Sequence, residues 1–191
     1  MRIVAVNGSA RKGGNTFTLI EAVLAPLRAA GHETGIIELA GKDVRGCLAC
    51  GKCIEKKDRR CHGRADFGNE VMERLFAADA IILGSPSYFA DVTAEIKALV
   101  DRTGYVGRAN GGLLARKAGA AVAAERRAGA MHVLDTLTHF FLISDMVVVG
   151  SSYWNLGVGR AKGEVAGDAE GMATMARLGE NLGWLLGRLA G

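Results

Sequence analysis

Four cysteines, the only ones in a chain of 191 residues, fall between positions 47 and 61: Cys47, Cys50, Cys53 and Cys61. The first three recur at every third position, so they wrap one side of a compact centre, and the longer interval lets a loop deliver the fourth. Short-spaced thiolates of this kind suit a cubane iron–sulfur cluster. Structural zinc more often takes two separated Cys-x2-Cys pairs or mixed Cys and His sets, and His62 beside Cys61 keeps a mixed-ligand zinc site open. Thiols that stay reduced, or are oxidised intermittently, are a third alternative. In a reducing compartment such crowding points to metal or redox chemistry over a disulfide framework.

Residues 8–16, Gly-Ser-Ala-Arg-Lys-Gly-Gly-Asn-Thr, offer a different chemistry. They follow a short apolar run and open into a helical pattern. The first backbone N–H groups of a helix lack internal partners and carry partial positive charge, which makes that end an anion site. Ser9, Asn15 and Thr16 add short donors, and Arg11 adds a fixed charge. The spacing is neither that of a Walker A loop nor Gly-x-Gly-x-x-Gly, so a single phosphate is the better match. A second polar loop, Ser85-Pro86-Ser87-Tyr88-Phe89, follows a buried apolar run. Pro86 stiffens it, Tyr88 and Phe89 can lie against a flat ring, and backbone groups near Ser87 can bond ring heteroatoms. A third loop, 124–129, can meet the ring's polar edge through Ala124, Arg126 and Gly129. Arg126 and Arg127 can stabilise negative charge on a reduced ring or bind a nicotinamide phosphate. Flavin mononucleotide needs a phosphate cup, an apolar face and donors at its pyrimidine side together. Tyr153, Trp154 and Asn155 can cover the ring of this or a neighbouring subunit, or the aromatics among them anchor their loop by burial. His132 and His139 read as helix surface or subunit contact.

The elements that position these groups follow from hydrophobic periodicity. Strands are expected at 2–6, 33–39, 80–84, 118–124 and 146–149. Helices are expected at 16–30, 66–77, 92–102 and 130–142, with a last one from an Asp168 cap to about residue 189. Pro26 should kink or restart the first helix. Residues 41–63, 104–114 and 151–167 read as loops. Regular strand–helix alternation implies one α/β domain over 1–191, a doubly wound, five-stranded parallel sheet with helices on both faces; the order considered for it is the flavodoxin-like 2-1-3-4-5, the fold that the family resemblance given below implies. Ligands then collect at the carboxyl ends, where strand order reverses between the first and third strands. The loops 8–16 and 85–91 leave those two strands.

Composition narrows the partners. With 49% hydrophobic and 23% charged residues the chain is of globular type. A net charge of +4 is mild, and without a basic helix or an aromatic-interleaved basic patch no nucleic-acid partner is expected. No apolar run approaches a membrane span, so no membrane partner is expected either. The N-terminus runs straight into a strand without a secretory signal, which points to the cytoplasm.

Gly8-Ser9-x-Arg11-x-x-Gly14-Asn15-Thr16, Gly84-Ser85-Pro86-x-Tyr88-Phe89 and Lys97…Asp101-Arg102 resemble the NAD(P)H-dependent FMN reductase and flavodoxin-like family over most of the chain to Gly150. The cysteine spacing is similar to the iron–sulfur flavoprotein branch, whose last interval varies; the seven residues before Cys61 are long for it. The resemblance implies FMN at the strand ends, its phosphate held by Ser9, Arg11, Asn15 and Thr16 and its ring by Pro86, Ser87, Tyr88 and Phe89. It also implies a homodimer or homotetramer in which a neighbour helps cover the flavin. The function expected is a flavin-dependent oxidoreductase passing electrons through a [4Fe–4S] cluster and FMN to a small acceptor such as oxygen, peroxide or a quinone. No side chain need act as acid or base. Lys52, Lys56, Lys57, Arg59 and Arg60 read either as a solvated loop or as a docking surface for an acidic, ferredoxin-like donor. Two alternatives stand: an NAD(P)H-dependent FMN or quinone reductase with idle cysteines, and a non-enzymatic redox or metal sensor.

Overall fold

Strand β1 (Arg2–Asn7) shows why the layers form. Ile3 and Ala5 pack into one core, Val4 and Val6 into another, and all four are buried. A strand buried on both faces needs helices on both. The computed structural model describes residues 1–189. In order along the chain come α1 (Asn15–Ala29), β2 (Glu33–Glu38), α2 (Lys52–Lys56), α3 (Gly68–Ala77), β3 (Ala80–Pro86), α4 (Ala94–Ala109), β4 (Ala118–Glu125) and α5 (Ala130–Ile143). Then follow β5 (Val147–Val148), β6 (Leu156–Val158), a 3-10 turn (Glu164–Gly167) and α6 (Ala169–Leu189).

The strands pair in parallel in the order β2-β1-β3-β4-β5, as the sequence implies, and the reversal of order falls beside β1. On one face, Leu19, Ile20, Val23 and Leu24 of α1 pack with Met175, Leu178 and Leu182 of α6. On the other, Met72, Ile96, Leu99, Val133, Leu137 and Phe141 bring in α3, α4 and α5. Burying each such aliphatic side chain contributes about 1.5–3 kcal/mol. The small residues of β4 let α5 approach: a Cβ at Gly119 would stand 2.8 Å from the Phe141 ring.

Five features differ from the sequence expectation. β3 runs on through Ser85 and Pro86, paired with Ala123 and Ala124 of β4. α4 continues through Gly104 and Gly107 instead of giving way to a loop, because those positions face the rings of Phe140 and Phe76, at 3.8 and 3.5 Å from an added Cβ. The helix stops only at Asn110, whose side chain donates to the Val106 carbonyl at 2.8 Å. Segment 41–63 holds the short helix α2. Segment 151–167 holds β6, which pairs with β4 beyond the end of β5. Pro26 does not restart α1: it lies in the last turn, loses only its own donor, and still accepts from Ala30 N at 3.0 Å. Asp168 caps α6 as expected, accepting from Gly171 N at 3.0 Å, and its other oxygen holds Val158 N of β6 at 2.8 Å. No helix among the described residues is long and apolar enough to cross a membrane.

Candidate functional site

The turn after β1 is braced from three sides. Gly8 N donates to the Gly84 carbonyl at 2.8 Å, Asn7 Oδ1 accepts from Ser9 N at 3.1 Å, and Ser9 Oγ accepts from Arg11 N at 3.1 Å. From β2, Glu38 Oε2 accepts from Asn7 Nδ2 and Gly13 N at 3.1 and 2.9 Å. From the N-cap of α4, Thr93 Oγ1 donates to the Gly8 carbonyl at 2.9 Å. The first donor within α1 is Thr18, to Gly14 at 3.1 Å, so the N–H groups before it face outward from the helix end. Thr16 Oγ1 is buried there without a hydrogen-bond partner. An orphaned hydroxyl costs about 1–3 kcal/mol unless a ligand satisfies it. These groups fit an oxyanion such as a phosphate.

Two residues expected at the phosphate are used inside the protein. Asn15 Nδ2 donates to Gly159 O at 2.9 Å, and its Oδ1 accepts from Gly163 N at 2.8 Å. Arg11 Nη1 donates to Arg160 O at 3.0 Å. Together they fasten the segment after β6 over the loop, and that segment brings Lys162: its Nζ lies 3.8 Å from where a Cβ of Gly13 would stand. Lys162 is not legible in the sequence, because nothing in its local pattern links a glycine-rich stretch to a loop almost 150 residues earlier.

The ring loop leaves β3 one strand away. Ser87 N donates to Ala124 O at 2.8 Å, tying it to β4. Tyr88 and Asp91 then exchange backbone hydrogen bonds at 2.9 and 3.2 Å around a turn whose central residues, Phe89 (φ +47°) and Ala90 (φ +66°), are both left-handed. Such turns favour Asn and Gly, and side-chain-bearing residues pay about 1–2 kcal/mol each for the geometry. Phe89 is fully exposed at its tip and Tyr88 half-exposed. Burial alone would raise the Asp91 carboxyl, but Val92 N at 2.7 Å and Thr136 Oγ1 at 2.9 Å hold it below its ordinary value, with His132 Nδ1 at 3.5 Å helping. The third loop meets the second at Gly129 (φ +102°), where a Cβ would collide with Ser87 Oγ. Glu125 Oε2 accepts from Ala130 N at 2.8 Å and fixes the start of α5. Ala124 is buried; Arg126 and Arg127 are exposed; so is His139, on α5. Tyr153 and Trp154 are exposed with ring centroids 6.2 Å apart, while Asn155 is buried and accepts Ala123 N on its carbonyl at 2.9 Å. The loops expected to hold a flavin therefore share one end of the sheet.

The cysteines form a separate centre. All four border one cavity of about 210 Å³, walled also by Arg102, Tyr105 and Val106 of α4. Cys47 Sγ accepts from Ala49 N at 3.3 Å, and Cys50 Sγ lies 3.0 Å from where a Cβ of Gly63 would stand. Asn69 of α3 grips Cys61 at both backbone groups, at 2.8 and 3.0 Å. Ala49, Gly51, Lys57 and Arg59 all have positive φ, so the segment is wound tightly. Burial pushes the Cys53 thiol up, and the nearby thiols of Cys61 and Cys47 add to the rise. His62 pairs with Asp58 at 2.8 Å and holds that carboxyl low. Behind the cavity, Arg102 Nη1 contacts both oxygens of Asp66 at 2.7 and 2.8 Å and the Arg45 carbonyl at 3.1 Å, with the two side chains 1% and 2% exposed.

A soft, all-sulfur donor set suits zinc or an iron–sulfur cluster. One zinc ion with bonds of about 2.3 Å would draw its ligands almost into contact. Among the described residues, no three Cys, His, Asp or Glu side chains are grouped closely enough to share one ion. The four cysteines around the cavity supply the donor set that either group would use.

The family model described as NADPH-dependent FMN reductase matches residues 1–161. An iron–sulfur flavoprotein of Methanocaldococcus jannaschii is 36% identical over 189 residues, covering 95% of each chain. One from Methanosarcina thermophila is 34% identical over 154 residues, covering 80% of this chain and 78% of the other. Among solved structures, RosB with bound 8-demethyl-8-formylriboflavin-5'-phosphate superposes with a TM-score of 0.79 at 18% identity, covering all of this chain and 80% of RosB. The chain belongs to the NADPH-dependent FMN reductase family, in its iron–sulfur flavoprotein branch, and is a flavin-dependent oxidoreductase.

Proposed function

We propose that the protein passes electrons between FMN at the strand ends and a [4Fe–4S] cluster held by Cys47, Cys50, Cys53 and Cys61, and delivers them to a small acceptor. The observation that carries this reading is the convergence of all four cysteines on one cavity. Helix α4 joins the two centres. Thr93 at its N-cap braces the phosphate loop, and Arg102, Tyr105 and Val106 wall the cavity, roughly 14–20 Å further along a rod rising 1.5 Å per residue.

When bound, these groups supply the electron chemistry, and the chain supplies position and access. Ser9, Gly14 and Thr16 receive the phosphate at the start of α1, with Arg11 and Lys162 adding positive charge and Asn15 holding the covering segment in place. Pro86, Ser87, Tyr88 and Phe89 lie along the ring, and Ala124, Arg126 and Gly129 border its polar edge. Exposed Phe89, Tyr153 and Trp154 support a second copy of the chain as part of the flavin's cover. The exposed Lys52, Lys56, Lys57, Arg59 and Arg60 beside the cysteines support an acidic, ferredoxin-like carrier as donor, whose rate of transfer falls with salt.

Purification without air, followed by assay of iron, sulfide, zinc and flavin, tests the reading. Iron and sulfide near four per chain with one FMN are expected, as is loss of iron but not FMN in Cys50→Ala. FMN without iron, bleached rapidly by NAD(P)H, supports a cluster-free reductase in its place. Zinc without flavin sinks both.

A further inference from the structure

We propose that Arg102 is the built-in cation that sets the reduction potential of the iron–sulfur cluster in the cysteine cavity, by presenting N–H donors to its sulfur. The inference rests on the cluster reading above and adds a residue to it. Arg102 is 1% exposed and belongs to the cavity wall. Asp66 and the Arg45 carbonyl use only Nη1. Nε and Nη2 are buried and have no acceptor among the described residues. A guanidinium carries five N–H groups, and leaving some buried and unpaired is costly, so such groups call for an explanation. Anionic sulfur in the adjoining cavity supplies one.

The anchoring favours this role. Asp66 holds the plane of the fork, and the plane lies against Gly68, whose Cβ would stand 2.5 Å from Nη1 and 3.1 Å from Nη2. A lysine has no planar fork and could not be fixed in this way. Reduction adds one electron, taken from an external reductant, to a centre already negative through its thiolates. No bond forms or breaks and no proton moves. A fixed cation with N–H donors stabilises the reduced form more than the oxidised one, and hydrogen bonds to sulfur are a known lever on such potentials.

The test is a redox titration of the anaerobically purified holoprotein, followed by electron paramagnetic resonance. Arg102→Gln combined with Asp66→Asn keeps the pair neutral and removes the guanidinium. It is expected to lower the reduced-to-oxidised ratio at a fixed solution potential at least tenfold, which is about 59 mV for one electron. Asp66→Asn alone keeps Arg102 and removes the opposing charge, so it is expected to raise the ratio. A purely structural role would move both variants the same way. An unchanged ratio in the double variant, or shifts of the same sign in both, overturns the proposal. If the double variant does not fold, Asp66→Asn decides alone, and a fall or no change overturns it. Absence of iron and sulfide from the wild-type protein is a different failure, that of the cluster reading itself.

Discussion

Thr93 Oγ1 donates to the Gly8 carbonyl at 2.9 Å, across 85 positions of sequence. One hydroxyl thereby joins the start of α4 to the turn leaving β1. It also accepts from Ile96 N at 3.4 Å as the cap of α4, while Ser85 Oγ receives Thr93 N at 3.0 Å. Thr93→Val keeps the shape and removes the hydroxyl. The expected cost is about 1–3 kcal/mol, since a buried carbonyl and a helix donor lose their partner. A lower urea midpoint should accompany faster FMN release. Equal values for both would refute the assigned link.

Asn15 and Lys162 should separate into a fastener and a charge. Asn15→Ala frees residues 159–165 and should expose them to proteolysis, with flavin affinity falling about tenfold, or 1.4 kcal/mol. Lys162→Ala should weaken FMN and leave riboflavin, which lacks the phosphate, unaffected. Fluorescence titrations with both flavins check this, and equal losses for the two would deny Lys162 a role at the phosphate.

The turn at Phe89 and Ala90 stores strain that a glycine removes. Ala90→Gly should raise stability by about 1 kcal/mol or less, because relief of the left-handed penalty is partly offset by a more flexible unfolded chain. The melting temperature should rise slightly while flavin turnover falls, since the tip is less firmly held. A drop in melting temperature would show that the turn is not strained.

Acid should act on the Asp66–Arg102 pair. Burial tends to raise the Asp66 carboxyl, but Arg45 N–H, the Arg102 guanidinium and Gly68 N–H hold it below its ordinary value. A lowered folded value means that its stabilisation is fully present above the unfolded value, near 4, and is lost as pH falls through the folded value. Unfolding midpoints of wild type and Asp66→Asn should therefore converge as pH drops below about 4. A difference that stays constant down to pH 2 would contradict this.

Much of the architecture was legible in the sequence because burial on two faces leaves continuous apolar strands. Ile81, Ile82 and Leu83, or Val4, Ala5 and Val6, allow few other readings. What escaped depends on partners distant in sequence. Gly104 and Gly107 look like loop residues until Phe140 and Phe76 are seen against them. β6 reads as loop because Leu156-Gly157-Val158 is too short to show alternation and is defined by its pairing with Ala123, Ala124 and Glu125. The cysteine spacing was plain, but Arg102 behind it was legible only as part of a family motif. Likewise, Asn15 and Arg11 could be recognised as polar residues at a helix start, but not as holding residues 159–163.

The edge beyond β4 is occupied by β5 and β6, of two and three residues, one beside Ala118 and Gly119 and the other beside Ala123 to Glu125. Between them the chain leaves the sheet. A foreign strand arriving there meets no unbroken row of backbone donors and acceptors long enough to template its addition. The interruption that carries Tyr153 and Trp154 outward therefore also guards this border of the sheet against edge-to-edge aggregation.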